Sequence, residues 1–265
     1  MEGKFAVVTG SSQGLGKSFA IQLAKDGWNL ILISLPGENL RNLSNSLNNS
    51  FGIRAFHYET DLAIKENVMA VSDWINQNFN IQMLVNNAGI GGTKRFDEAS
   101  SAYIEKIIQL NVVATTLLTH QLLPNLKRQE KSYVLNVSSL AAFSPIAYKT
   151  VYPASKAFIH SFSRGLYYEL KDTSVFVSVV NPGPMRTNPD TIRRIDEQGF
   201  FANVTTLDPD KVAGYCIRQL KKRDTVIMVN PISWFLLKVL PIWIRLPMLS
   251  NKIEKELVHQ FNLKP

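Results

Sequence analysis

Short, uninterrupted runs of apolar and β-branched residues recur along this chain, each followed by a longer stretch with helical spacing. No other feature limits the fold as strongly. Residues 5–8, 30–33, 83–85, 133–137, 175–180 and 226–229 read as strands. Their hydrophobicity is continuous rather than alternating, which suits strands buried on both faces, as in a parallel sheet. Residues 53–58 form a weaker run, expected nearer an edge, and residues 15–25 and 151–170 carry helical patterns. Strand alternating with helix predicts an α/β fold: one Rossmann-type, doubly wound parallel sheet of about seven strands with helices on both faces. No linker or repeat interrupts the pattern, so residues 1–265 are read as a single domain.

The turn after the first run is Thr9-Gly10-Ser11-Ser12-Gln13-Gly14-Leu15-Gly16, and a helical pattern follows it. Glycines permit a tight turn and close approach of the backbone, and a helix N-terminus offers unpaired N–H groups to a pyrophosphate. Gly10, Ser12, Gln13, Gly14, Leu15 and Gly16 are therefore candidates for holding a dinucleotide. The same residues also match G-x-S-x-G, the strand–turn–helix elbow that carries a hydrolase serine. In that alternative Ser12 is a nucleophile with His57, His120, His160 or His259 as its base, and Gly16 has no explanation. The second run ends Ile33-Ser34-Leu35-Pro36 without a carboxylate, and an acid there would favour NAD over NADP. NADP(H) is accordingly preferred over NAD(H), with Ser34 beside the ribose and Lys17 or Arg41 reaching the phosphate by a fold-back.

Tyr152 and Lys156 stand four apart at the start of the long helical stretch, which places them on one face. A phenol normally titrates near 10. A neighbouring ammonium, together with an oxidised nicotinamide, would lower that value and fit the tyrosine for proton exchange with a carbonyl or alcohol oxygen.

Taken together, these motifs resemble the short-chain dehydrogenase/reductase family from Lys4 to about Val229. The matches are Thr9-Gly10-x-x-x-Gly14-x-Gly16, Asp61-Leu62, Asn86-Asn87-Ala88-Gly89, Asn111, Asn136-Val137-Ser138-Ser139, Tyr152-x-x-x-Lys156, and Pro182-Gly183 with Thr187. The resemblance implies that Ser139 holds the substrate oxygen while Ser138 is structural. It implies that Tyr152 is the general acid/base, that Lys156 binds the nicotinamide ribose and tunes Tyr152, and that Asn111 holds a water on the proton path. Asp61 and Leu62 would meet the adenine, and Asn87, Ala88 and Gly89 would line the adenosine side. Pro182, Gly183 and Thr187 would contact the carboxamide and phosphates. The implied function is reversible reduction of a carbonyl to an alcohol with NADP(H), and the implied assembly is a homodimer or homotetramer. An NAD-linked alcohol dehydrogenase of the same fold, and a catalytically silent dinucleotide-binding regulator, remain as alternatives beside the Ser12 hydrolase.

Composition narrows the partners. Cys216 is the single cysteine and the four histidines show no metal spacing, so no metal site is expected. The formal net charge of +8 is spread over short clusters such as Lys221-Lys222-Arg223, without a stripe that would read nucleic acid. The N-terminus lacks the regions of a signal peptide, which suggests a cytoplasmic protein. Residues 184–208 are expected to form a substrate lid bearing Arg186, Arg193, Arg194, Phe200 and Phe201. Residues 231–265 form an apolar C-terminal extension, interrupted at 231–249 by Lys238, Pro241, Arg245 and Pro247. It reads as a cover for a lipophilic pocket, an oligomer contact, or a segment resting on a membrane surface. Its likeness to bacterial hydroxysteroid and 3-oxoacyl reductase-like enzymes favours a hydrophobic ketone, steroid-like or 3-oxoacyl substrate.

Overall fold

The computed structural model describes residues 3–185 and 207–261. Seven strands form one parallel sheet in the order β3-β2-β1-β4-β5-β6-β7. They are β1 (Phe5–Thr9), β2 (Asn29–Ser34), β3 (Ala55–Glu59), β4 (Ile81–Asn86), β5 (Ser132–Val137), β6 (Val175–Val180) and β7 (Val226–Ile227). Both faces are covered, and the strand sequences show why: consecutive side chains enter opposite cores. Ala6, Val8, Leu30 and Leu32 pack with α1 (Gly14–Lys25), α2 (Leu40–Phe51) and α7 (Pro209–Lys221). Phe5, Val7, Ile31 and Ile33 pack with α3 (Lys65–Asn78) and α5 (Thr115–Lys127). Leu170, at the end of α6 (Val151–Leu170), joins that second core. A helix α4 (Ser101–Ile108) runs into a π-helical turn, Gln109–Ala114, before α5. Two further helices, α8 (Pro231–Val239) and α9 (Ile242–Phe261), follow β7.

The expected sheet is present, with small shifts in its strands. β3 lies at the edge, as its weaker pattern suggested. β7 is shorter than the run that announces it: its ladder with β6 ends at Ile227, whose carbonyl accepts from the Asn181 N–H at 3.2 Å. The strand order reverses direction between β1 and β4, so the loops after those strands diverge and leave a crevice at their C-terminal ends. The candidate residues gather there. The lid segment lies outside the described residues between its two ends, which a parallel bridge between Met185 and Leu207 holds together.

Candidate active site

The loop from β1 to α1 needs its glycines for steric reasons. Gly10 and Gly14 have φ of +62° and +53°, in the region that other residues rarely occupy. A Cβ on Gly16 would stand 2.0 Å from the carbonyl oxygen of Gly10. Asn87 buttresses the same turn by donating its side-chain amide to the Thr9 and Gly10 carbonyls at 2.9 and 3.2 Å. Thr9 Oγ1 accepts from the backbone N–H groups of Asn87 and Ala88, tying the ends of β1 and β4 together. No side chain caps the N-terminus of α1. That uncapped turn, facing the crevice, fits the pyrophosphate of a dinucleotide. At the neighbouring rim Leu62 is buried, and Asp61 accepts a hydrogen bond from the Ala63 N–H at 2.9 Å.

The reading of the second strand requires a correction. Ser34 ends β2 without an adjacent acid, but Pro36 and Gly37 turn the chain back and bring Glu38 onto the loop. Ser12 donates its hydroxyl hydrogen to the Glu38 carboxylate, and Ser34 lies within hydrogen-bond reach of both. A carboxylate therefore does stand at the crevice, reached by a turn rather than by the strand. An open groove of about 450 Å³ lies beside it, lined by Ser12, Lys17, Glu38, Asn39 and Asn42 among others. Lys17 lines this groove and Arg41 does not. The same contacts weaken the hydrolase alternative. The partners of Ser12 are Glu38 and Ser34 rather than a histidine, while His57 pairs with Ser44 and His160 with Asn181.

Across the crevice, β5 and α6 assemble the second half. Ser139 follows β5 and caps a short 3₁₀ helix, Leu140–Phe143, by accepting from the Ala141 N–H at 3.1 Å. It also hydrogen-bonds Tyr152, which opens α6. Ser138 turns the other way and donates to the Lys156 carbonyl at 2.7 Å, a purely structural contact. Lys156 is only 6% exposed, and its Nζ donates to the Val137 carbonyl at 2.9 Å. Asn111 sits in the π-helical turn, where the widened backbone brings its side chain inward. Its amide donates to the Ile90 carbonyl and to Ser155 Oγ, and its Oδ1 accepts from the Ile90 N–H, each at 2.9 Å. Gly89 lies beside both groups: a Cβ there would come within 3.1 Å of Asn111 Oδ1 and 3.3 Å of Lys156 Nζ. Pro182 receives the Leu140 N–H at 2.9 Å, so the turn after β6 and the 3₁₀ helix are locked together. Thr187 lies outside the described residues.

Electrostatics here differ from the simple expectation. Tyr152 is held above the usual phenol value, because loss of water raises it more than the Ser139 hydrogen bond lowers it. The Lys156 ammonium lies 5.9 Å from the centre of the Tyr152 ring. Burial pushes that ammonium down from 10.5 to about 8. A lysine so perturbed, beside a tyrosine in a crevice, marks a chemically specialised site.

Sequence reasoning missed Glu38 and Ser155. The Pro36-Gly37 pair, which signals a reversal, was the clue to the first. Of the three readings of the C-terminal extension, contacts with the segment after Ser139 are the ones seen in the structure. The Trp234 ring of α8 meets Phe143 edge-on at 6.4 Å. Ser250 of α9 accepts from the Ala147 N–H at 3.0 Å, and Tyr148 donates to Glu254 at 2.8 Å.

Comparison with known proteins gives a consistent result. Residues 4–198 match the model of a family described as short chain dehydrogenase. The hydroxysteroid dehydrogenase-like protein 1 of Gallus gallus is 31% identical over 247 residues, covering 91% of this chain and 73% of that protein. The very-long-chain 3-oxoacyl-CoA reductase of Rattus norvegicus is 30% identical over 246 residues, covering 91% of this chain and 77% of the relative. Among solved structures, a short-chain dehydrogenase from Sphingobium yanoikuyae in complex with NADPH superimposes with a TM-score of 0.78. That protein is 25% identical, and the match covers 89% of this chain and 92% of the other.

Proposed function

The chain belongs to the short-chain dehydrogenase/reductase family of oxidoreductases, and from that premise we propose that it reversibly reduces a hydrophobic carbonyl compound to an alcohol with NADP(H). The observation that carries this reading is the convergence of Ser139, Tyr152, Lys156 and Asn111 on the crevice at the strand ends. Bound NADP(H) supplies or accepts the hydride. The uncapped start of α1 would hold its pyrophosphate, Asp61 and Leu62 its adenine, and Lys156 its nicotinamide ribose.

Each protein group then has a defined task. The hydroxyls of Ser139 and Tyr152 hold the substrate oxygen. Because burial keeps the Tyr152 phenol above its ordinary value, it retains its proton at neutral pH, which is the state a general acid requires. The proton passes from Tyr152 Oη to the substrate oxygen as charge builds there. Lys156, still largely protonated at neutral pH, stabilises the phenolate left behind. Asn111 braces Ile90 and Ser155, so that the wall facing Lys156 does not move during this exchange. Phe143 ends the short helix that Ser139 caps and packs edge-on against Trp234, and this apolar surrounding supports a ketone, steroid-like or 3-oxoacyl substrate.

A second reading is favoured by one observation. The Glu38 carboxylate beside Ser12 and Ser34 opposes a ribose phosphate and could accept from ribose hydroxyls, which supports an NAD-linked enzyme of the same chemistry. Fluorescence titration with NADPH and NADH, followed by addition of ketones and 3-oxoacyl thioesters, tests both. Tight NADPH binding, with oxidation by one substrate class, supports the first reading. Tighter NADH binding supports the second. Binding of neither nucleotide contradicts both.

A further inference from the structure

We propose that the outer face of α8 and α9 seats this protein on an anionic membrane surface. On α8, Ile232, Phe235, Leu236 and Val239 follow the spacing i, i+3, i+4, i+7, which on most helices marks the stripe turned to the core. Here each of the four is at least half exposed, Ile232 at 72%. The other side of α8 is already engaged, through Trp234 against Phe143. Ile242, Trp243, Ile244 and Met248 continue the exposed surface onto α9, with Trp243 at 73%. More than half of the large apolar side chains that the described residues expose lie between Ile232 and Met248. Soluble monomers rarely present so continuous a patch without a partner for it.

Charge identifies the partner. No aspartate or glutamate occurs between Asp224 and Glu254, while Lys238 and Arg245 fall within the patch and the whole chain carries +8. Lys238 is exposed, and its ammonium lies 4.5 Å from the centre of the Trp234 ring, a contact that leaves its charge unneutralised. Pairing two copies through this face would bring their Lys238 and Arg245 side chains together with no carboxylate in the segment to neutralise them. Anionic headgroups complement the same charges, and the apolar side chains and Trp243 suit the layer beneath. Among the described residues no helix is long and apolar enough to cross a membrane, so the contact is with its surface. If the proposed function holds, a lipid-dissolved carbonyl compound would reach the site beneath α8 without crossing bulk water.

The test is co-sedimentation of the full chain with vesicles of phosphatidylcholine containing about 30% phosphatidylglycerol, against phosphatidylcholine alone, at low salt and at about 0.5 M. The protein should sediment with the anionic vesicles at low salt, and binding should fall several-fold with neutral vesicles or high salt. The double variant Phe235→Ser with Trp243→Ser should lose at least about tenfold in binding while keeping its thermal midpoint within a few degrees. Lys238→Glu should weaken binding to anionic vesicles but not to neutral ones. Four results would overturn the proposal. These are no vesicle binding at low salt, binding unaffected by the double variant, an oligomer that the double variant converts to monomer without any vesicle binding, or binding that appears only once residues 186–206 are deleted. The third would assign the face to self-association and the fourth to the chain's own lid. None of these readouts requires turnover, so the proposal can fail while the enzymatic reading stands.

Discussion

Replacing Lys156 by methionine should stabilise the nucleotide-free protein more at neutral pH than at about pH 9.5, and the size of that difference can be worked from the site. Burial lowers the Lys156 ammonium from 10.5 to about 8. In the unfolded chain the amine holds its proton up to its ordinary value, whereas in the folded protein it gives the proton up near 8. Between those values the unfolded state binds more protons, so the stability of the unaltered protein rises with pH through that window. The gap corresponds to a cost of about 3 kcal/mol standing in full at neutral pH, of which about 2 kcal/mol is recovered by pH 9.5. Methionine removes the charge and keeps most of the volume. It also leaves the Val137 carbonyl without the donor it has at 2.9 Å, costing about 1–3 kcal/mol at any pH. The net gain at neutral pH is therefore modest, but the change in it between the two pH values should be about 2 kcal/mol, because the lost hydrogen bond cancels. Urea unfolding of both proteins at the two pH values measures this double difference. A value under about 0.5 kcal/mol would refute the claim that Lys156 is held charged against its surroundings.

Other substitutions probe separate parts of the account. Glu38→Gln should raise affinity for NADPH relative to NADH by about tenfold, since it removes a negative charge from the groove at Ser12 and Ser34; titration with both nucleotides reads it directly. Gly16→Ala places a Cβ 2.0 Å from the Gly10 carbonyl oxygen, so it should abolish nucleotide binding or cost several kcal/mol of stability; calorimetric titration and urea unfolding separate the two. Phe19, fully buried in the core beneath α1, should cost about 3–5 kcal/mol when replaced by alanine, seen as a lower urea midpoint.

Much of the fold was legible because buried parallel strands leave a local mark. Ile31 and Leu32 enter different cores, so both must be apolar, and the run announces itself without knowledge of its neighbours. The pairing of Tyr152 with Lys156 was legible for a similar reason, since one turn of one helix brings the two side chains together. Contacts made between elements were not. Ser155 meets Asn111 only because α6 packs against the π-helical turn, and no spacing within either segment encodes that. Glu38 lay four residues beyond the strand end where an acid is normally sought, and the intervening turn carried it back. The apolar spacing of Ile232, Phe235, Leu236 and Val239 reads the same whether the stripe faces in or out. Only the fold shows that it faces outward.

The central claim is that Tyr152 donates the proton in a carbonyl reduction. Tyr152→Phe retains the ring beside Gly91 and deletes only the hydroxyl that Ser139 engages. Single-turnover oxidation of bound NADPH should be measured for both proteins with the best substrate from the carbonyl panel. The account predicts a rate lower by about 10²–10⁴-fold with nucleotide affinity little changed. A variant that turns over at nearly the unaltered rate would contradict it.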